Sequence, residues 1–259
     1  MPALDDLPAD ASSAWLGLRD SLSDILGDDL LAIWAYGSVI GSDRPRRVAD
    51  LDTHVIVRRR PADVAAQRIE SALERGPQTE FDAWLITLDH ARRSEPPPHA
   101  FLEGRRDTAW AVHRAHWLAG RVITVHGLEP AAVVQPPTWD EIVVDLDREL
   151  EHIERHIQEG DNDPYEAAYA VLNGSRILRS LQAHDPVLSK RAAGSWALRN
   201  LPGRWRPALD AALRAYDERE TPDDAALLAA EMAPFVAMVR AELPRTSGDP
   251  GETPRWSGY

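Results

Sequence analysis

The chain has 259 residues, 44% of them hydrophobic and 27% charged, a composition that supports a packed core and excludes a wholly disordered or low-complexity chain. Its 42 acidic against 29 basic residues give a formal net charge of -13, which argues against gripping nucleic acid or an anionic membrane and suits a cationic partner. Cysteine is absent, which excludes disulfides and thiolate chemistry and fits the cytoplasm. No basic segment precedes an apolar run at the N-terminus, and the longest apolar stretch, residues 30–36, falls far short of the roughly 20 residues of a membrane helix.

In chain order, residues 11–26 have the period of an amphipathic helix, with Trp15, Leu18 and Leu22 on one stripe. Residues 30–36 read as a buried strand broken by Gly37 and Ser38, and residues 51–57 as a second strand after an Arg- and Pro-rich loop. Residues 62–75 read as a connecting helix, and residues 81–88 as a third strand. The run Pro96-Pro97-Pro98 marks a loop out of this unit. Beyond it, residues 107–118, 140–158, 164–181, 189–200, 207–216 and 223–240 are six helix candidates with short later loops. The fold class expected is therefore α+β, a mixed sheet with helical cover followed by an all-helical bundle.

The stretch with chemical content is Tyr36-Gly37-Ser38, followed by Asp50-Leu51-Asp52 at a strand start. Residues i and i+2 of a strand share a face, so Asp50 and Asp52 point together, and a hard cation such as Mg²⁺ relieves their repulsion. Gly37 permits close backbone approach, and the Ser38 hydroxyl with the N–H groups of the next turn can cradle phosphate oxygens. A phosphate cradle beside a Mg²⁺ site implies a nucleotide.

Gly-Ser followed by Asp-x-Asp on the next strand resembles the signature of the nucleotidyltransferase superfamily. The resemblance implies a third carboxylate on a neighbouring strand: Asp82, between apolar Phe81 and Ala83, with Glu80 as the fallback on the same face. The helical half, notably Asn173-Gly174-Ser175-Arg176 and Ser189-Lys190-Arg191 through Leu198, resembles the C-terminal domain of aminoglycoside adenylyltransferases of the streptomycin/spectinomycin type. This implies a catalytic domain over residues 1–136, a helical domain over 137–243 and a disordered tail over 244–259. It also implies transfer of AMP from ATP to a hydroxyl of an aminoglycoside-like acceptor with release of pyrophosphate, the activity of antibiotic-resistance enzymes. Asp50, Asp52 and Asp82 would hold Mg²⁺, Asp82 would take the hydroxyl proton, and Gly37 and Ser38 would hold phosphates.

All basic residues but one are arginine, and the exception, Lys190, opens a helix that the resemblance places across the cleft from the nucleotide. Lys190, with Arg199 or Arg214, would then hold phosphates. Where streptomycin-type enzymes carry an acidic residue near this helix start, the chain has Arg191, which weakens streptomycin as the acceptor and leaves Glu166 or Asp185 to meet a cationic drug. One of Thr53 and His54 must face the nucleotide side or solvent, and His54 reads as structural rather than catalytic. His152 and His156 share a helical face but lack the Glu directly after the first His that a zinc peptidase motif needs, His113 and His116 lack a clear third zinc ligand, and the tryptophans read as core. Two other functions fit the same signature: adenylylation of a protein or another metabolite, and a non-catalytic nucleotide-binding module.

Overall fold

A computed structural model describes residues 3–40, 50–74, 81–159 and 163–244. Helix α1 (Ala9–Leu26) buries the stripe Trp15, Leu18 and Leu22 against the sheet. Strands β1 (Leu30–Ala35), β2 (Thr53–Val57), β3 (Ala83–Thr87) and β4 (Ile123–Gly127) form one sheet in the order β3-β2-β1-β4. β1 is antiparallel to both β2 and β4, while β2 and β3 are parallel and are joined by helix α2 (Asp63–Leu73), the crossover that a parallel pair requires. The sheet is thus mixed, as the alternation of elements leads one to expect.

Strand alternation assigns each side chain to one of two faces. Ile33, Ala35, Val55, Val57, Leu85 and Ile123 pack under α1 and α2. Ala32, Trp34, Tyr36, Ile56 and Ile86 line the other face with Trp110, Trp117 and Val133. Thr53 belongs to the first face, where it accepts the indole N–H of Trp15 at 2.9 Å and donates to the Leu51 carbonyl.

After a short helix α3 (Leu88–Ala91), helix α4 (Trp110–Leu118) covers the second face. Five helices follow: α5 (Trp139–Glu159), α6 (Pro164–Ala183), α7 (Lys190–Asn200), α8 (Arg206–Tyr216) and α9 (Pro222–Glu242). They share a separate core built around Leu172, Leu209 and Phe235. The expected helices all occur, with ends within a few residues of the expected ones. The helix expected from residue 107 begins at Trp110, because Asp107 holds a turn ahead of it: its Oδ1 accepts the Ala109 N–H at 3.1 Å. Strand β4 has no counterpart among the expected elements, since its alternation of Thr124 and His126 with apolar residues reads as turn. Residues 245–259 of the expected tail, and Glu80, lie outside the described residues.

The two cores meet at α4 and α5. Asp145, buried on α5, accepts the N–H groups of Ala111 at 2.6 Å and Val112 at 3.2 Å, satisfying donors in the first turn of α4 that have no intrahelical partner. Arg114, with no exposed surface, reaches the Gln135 carbonyl at 3.1 Å and Glu141 Oε1 at 3.2 Å. Asp145→Ala, which strands two buried N–H groups, is expected to lower stability by about 2–3 kcal/mol, read from urea unfolding.

Candidate active site

The ends of β1, β2 and β3 converge at one edge of the sheet, and backbone pairing brings their carboxylates together. The Tyr36 N–H donates to the Asp52 carbonyl at 3.1 Å, and the Thr53 N–H donates to the Asp82 carbonyl at 2.9 Å. Since Thr53 pairs with Ala83, Asp52 and Asp82 stand side by side at the entry to β2 and β3. Asp50, two residues before Asp52, adds an exposed third carboxylate on the same face.

Gly37 closes over this edge with φ of 83°, and a Cβ there would lie 1.6 Å from Asp52 Oδ2. Only glycine allows the turn to touch the carboxylate. Ser38 follows, half-buried, with no hydrogen bond to another described residue. The pairing of Gly-Ser with Asp-x-Asp inferred from spacing is therefore a direct packing contact.

Electrostatics mark this edge as strained. Burial, then the charges of Asp50 and Asp82, push the Asp52 carboxyl up to about 7, while His113 and Lys190 oppose the rise. Asp82 is raised too, first by desolvation and then by Asp50. Hard oxygen donors that repel one another fit a divalent cation such as Mg²⁺.

The helical half supplies cations opposite. Lys190 is the first residue of α7, whose N-terminus is capped by Ser189 Oγ accepting the Ala192 N–H at 3.1 Å. Its Nζ sits 4.2 Å from the centre of the Tyr169 ring, and the Tyr169 hydroxyl donates to Glu149 Oε1 at 2.8 Å. Burial and then Arg176 push Lys190 down to about 8, against the pull of Glu149, Asp52 and Asp50. Arg176, half-buried on α6, has no hydrogen bond or ion pair with a described residue and is a second cation beside Lys190. It went unassigned from sequence although it sits within the Asn173 to Arg176 run, because twenty-eight arginines gave no reason to single it out.

Two expected phosphate ligands are placed elsewhere. Arg199 is exposed in the last turn of α7, about 13 Å along the helix from Lys190 at 1.5 Å per residue, so helix length removes it from the site. Arg214 is bound to Asp224, at 3.0 and 2.5 Å, and clamps α8 to α9. Arg191 is bidentate on Asp217, which Arg219 also meets, so much of its charge is neutralised. Asp185 is exposed and its Oδ1 holds the Val187 N–H at 2.9 Å, a loop contact.

His54 lies on the carboxylate face of β2, fully buried beneath Asp52, rather than in solvent. Its Nε2 and His113 Nδ1 each lie 2.9 Å from Asp107 Oδ2. A surface cavity of about 750 Å³, lined by Gly27, Leu31, Arg58 and Leu128, is at the opposite end of the sheet from this chemistry.

A sheet edge with Gly-Ser and three carboxylates, faced by a helical bundle, is the arrangement that the sequence signature leads one to expect. The fold is similar to that of spectinomycin adenyltransferase AAD(9) from Enterococcus faecialis, crystallised with ATP and spectinomycin. The TM-score is 0.69 at 12% identity, over 88% of this chain and 98% of that one. Residues 134–242 match the family described as aminoglycoside adenylyltransferase, C-terminal domain. No curated protein matches the chain in sequence. Residues 134–242 therefore resemble the C-terminal domain of aminoglycoside adenylyltransferases, and the chain as a whole shares the fold of that adenyltransferase.

Because Asp52 is raised in the folded state, the fold holds its proton more tightly than the unfolded chain, so its contribution falls as pH climbs from about 4 to about 7. Asp52→Asn is therefore expected to be more stable than the parent at pH 7.5, by roughly 2 kcal/mol after allowance for solvent screening. The difference should vanish near pH 4; thermal melts across that range check it.

Proposed function

We propose that the chain transfers AMP from ATP to a hydroxyl of an aminoglycoside-like acceptor and releases pyrophosphate. The observation that carries this reading is the set of three converging carboxylates under the Gly37–Ser38 turn, faced by Lys190 with Arg176 beside it. Asp50, Asp52 and Asp82 would hold Mg²⁺, which when bound neutralises the triphosphate and polarises the α-phosphorus.

The chain's own groups then have separable roles. The Ser38 hydroxyl and the N–H groups of its turn receive terminal phosphate oxygens. Lys190 and Arg176 close on the phosphates from the helical side; Lys190 is held by the Tyr169 ring rather than by a carboxylate, so its N–H donors remain available. Asp82, whose raised proton affinity makes it a better base than an ordinary aspartate, takes the acceptor proton as the hydroxyl oxygen bonds to the α-phosphorus and the bond to pyrophosphate breaks. Holding the two reactants in line accounts for much of the acceleration.

For the acceptor, a cationic aminocyclitol of the spectinomycin kind fits better than streptomycin. Arg191 stands where the streptomycin reading wants an acid, and its partner Asp217 leaves no surplus negative charge there. Glu166, half-buried at the start of α6, and the exposed Tyr165 beside it provide an anionic and aromatic wall. Localisation in the cytoplasm, where ATP is available, is part of the same proposal; no helix among the described residues is long and apolar enough to cross a membrane.

Pyrophosphate release from ATP with a panel of aminoglycosides tests the reading: release with spectinomycin supports it, and no release with any drug overturns the acceptor assignment. Asp50→Ala and Asp82→Ala should each lower kcat at least a hundredfold. Lys190→Ala should chiefly raise the KM for ATP, by about tenfold, as expected for one charge-assisted hydrogen bond. Mg²⁺ should raise the melting temperature of the parent protein and not that of Asp52→Asn.

A further inference from the structure

Asp107 is almost wholly buried, yet one of its oxygens receives two imidazoles: His54 Nε2 from β2 and His113 Nδ1 from α4, both at 2.9 Å. The other oxygen holds the turn before α4 through the Ala109 N–H. The His113 ring is held on both sides, with the Tyr36 ring edge-on at 5.0 Å and Trp117 stacked at 5.8 Å. With Nδ1 committed to Asp107, the one polar atom left on this immobile ring is Nε2. It has no hydrogen bond to a described residue and is not among the buried unpartnered atoms, and the side chain is 22% exposed.

A carboxylate on Nδ1 with Nε2 open is the arrangement by which proteins present an imidazole to a substrate in one tautomer and orientation. The groups around it are Asp107 before α4, His54 and Asp52 on and before β2, Asp82 before β3, Asp145 on α5 and Tyr36 after β1. Burial alone would lower its proton affinity; the charge of Asp107, its hydrogen bond, and Asp52 and Asp145 outweigh that and favour the imidazolium.

We propose that His113 is a nucleotide ligand whose Nε2–H donates to a phosphate oxygen at the floor of the cleft, with Asp107 and His54 as the residues that position it. The proposal rests on the nucleotidyltransferase reading above. The ring lies near Asp52 and Asp82, whose carboxyls feel its charge, and on that reading phosphate lies beside the same carboxylates. A metal ion held by the same three side chains is the competing account, since their ligand atoms lie within 4.8 Å of one another. The hydrogen-bonding pattern disfavours it: with a metal on Nε2, His54 Nδ1 would become a fully buried N–H donor, and that nitrogen has no partner.

The test uses the full chain, Mg²⁺ and the non-transferable analogue AMPCPP. In the parent protein labelled with ¹⁵N-histidine, the His113 Nε2 resonance is expected to move on addition of AMPCPP with Mg²⁺ and not with Mg²⁺ alone. His113→Ala should weaken AMPCPP binding by roughly tenfold or more, the worth of a hydrogen bond to a charged group, while His113→Gln, which retains an N–H, stays within about threefold of the parent. An unmoved resonance, or His113→Ala binding within twofold of the parent, overturns the proposal; so does one equivalent of Zn²⁺ that copurifies with the parent and is lost from His113→Ala. Asp50→Ala is run in parallel. If it abolishes Mg²⁺-dependent AMPCPP binding and His113→Ala does not, only the His113 assignment fails; if neither variant matters, the nucleotidyltransferase reading fails with it.

Discussion

Mutual repulsion among Asp50, Asp52 and Asp82 is the constraint around which the rest of the structure is arranged. A folded chain has no intrinsic reason to hold three carboxylates together at a sheet edge, and the raised proton affinity of Asp52 records what that costs. The cost is met by backbone pairing, which leaves the side chains no freedom to separate. β1 contributes the Tyr36 N–H to Asp52, and β3 contributes the Asp82 carbonyl to Thr53. Gly37 then presses against the Asp52 carboxylate where any side chain would collide. The antiparallel β1–β2 and parallel β2–β3 pairings, and hence the crossover by α2, are what the charge cluster requires of the fold.

The cations arranged against this cluster come from three separate parts of the chain, which explains what could and could not be read from sequence. The Asp-x-Asp pair and the Gly-Ser turn were legible because their geometry is local: strand period sets the shared face, and a glycine at a strand end announces a tight turn. Lys190 was legible only because lysine is otherwise missing. Arg176 depends on the packing of α6 beside Lys190 of α7, and His54 meets Asp107 across 53 residues; no period or spacing carries that information. Arg199 failed for the converse reason, since helix rise places it at the far end of α7 from Lys190 however close it lies in sequence. The helices of the bundle were read nearly to their ends because amphipathic period and caps such as Ser189 and Thr221 are local too. Strand β4 was not, because a five-residue segment with Thr124 and His126 between apolar residues lacks the apolar run that marked the central strands.

The cleft works as one site only if the two cores hold a fixed relation, and α4 is the element that secures it. Its Trp110 and Trp117 are part of the sheet's core, while Ala111 packs into the bundle. Asp107 holds the turn before it through the Ala109 N–H at 3.1 Å, and Asp145 of α5 accepts from its first turn at 2.6 Å. Buried Arg114 then ties it to Glu141 of the same helix α5. Asp107 and Asp145 are buried acids that a hydrophobic core would not choose, but both are satisfied by N–H donors, so they act as rivets rather than as uncompensated charge.

The net charge of -13 describes the surface, and it is a poor guide to the cleft, where sign is segregated by element. The sheet edge is anionic, while α6 and α7 bring Arg176 and Lys190. On the proposed function a nucleotide would bridge these two signs, with metal-bound phosphates at the carboxylates and free phosphate oxygens at the cations. A cationic acceptor would then approach from outside this sandwich, and its recognition would depend on groups at the rim. Arg191 lies on that side, but its guanidinium is spent on Asp217 and its flank on Tyr216 at 5.5 Å. A residue that alignment by position marks as repelling a cationic drug is thus substantially neutralised by its own neighbour. On the proposed function, acceptor choice would rest on the shape and charge offered by Glu166 and Tyr165 more than on the sign of residue 191.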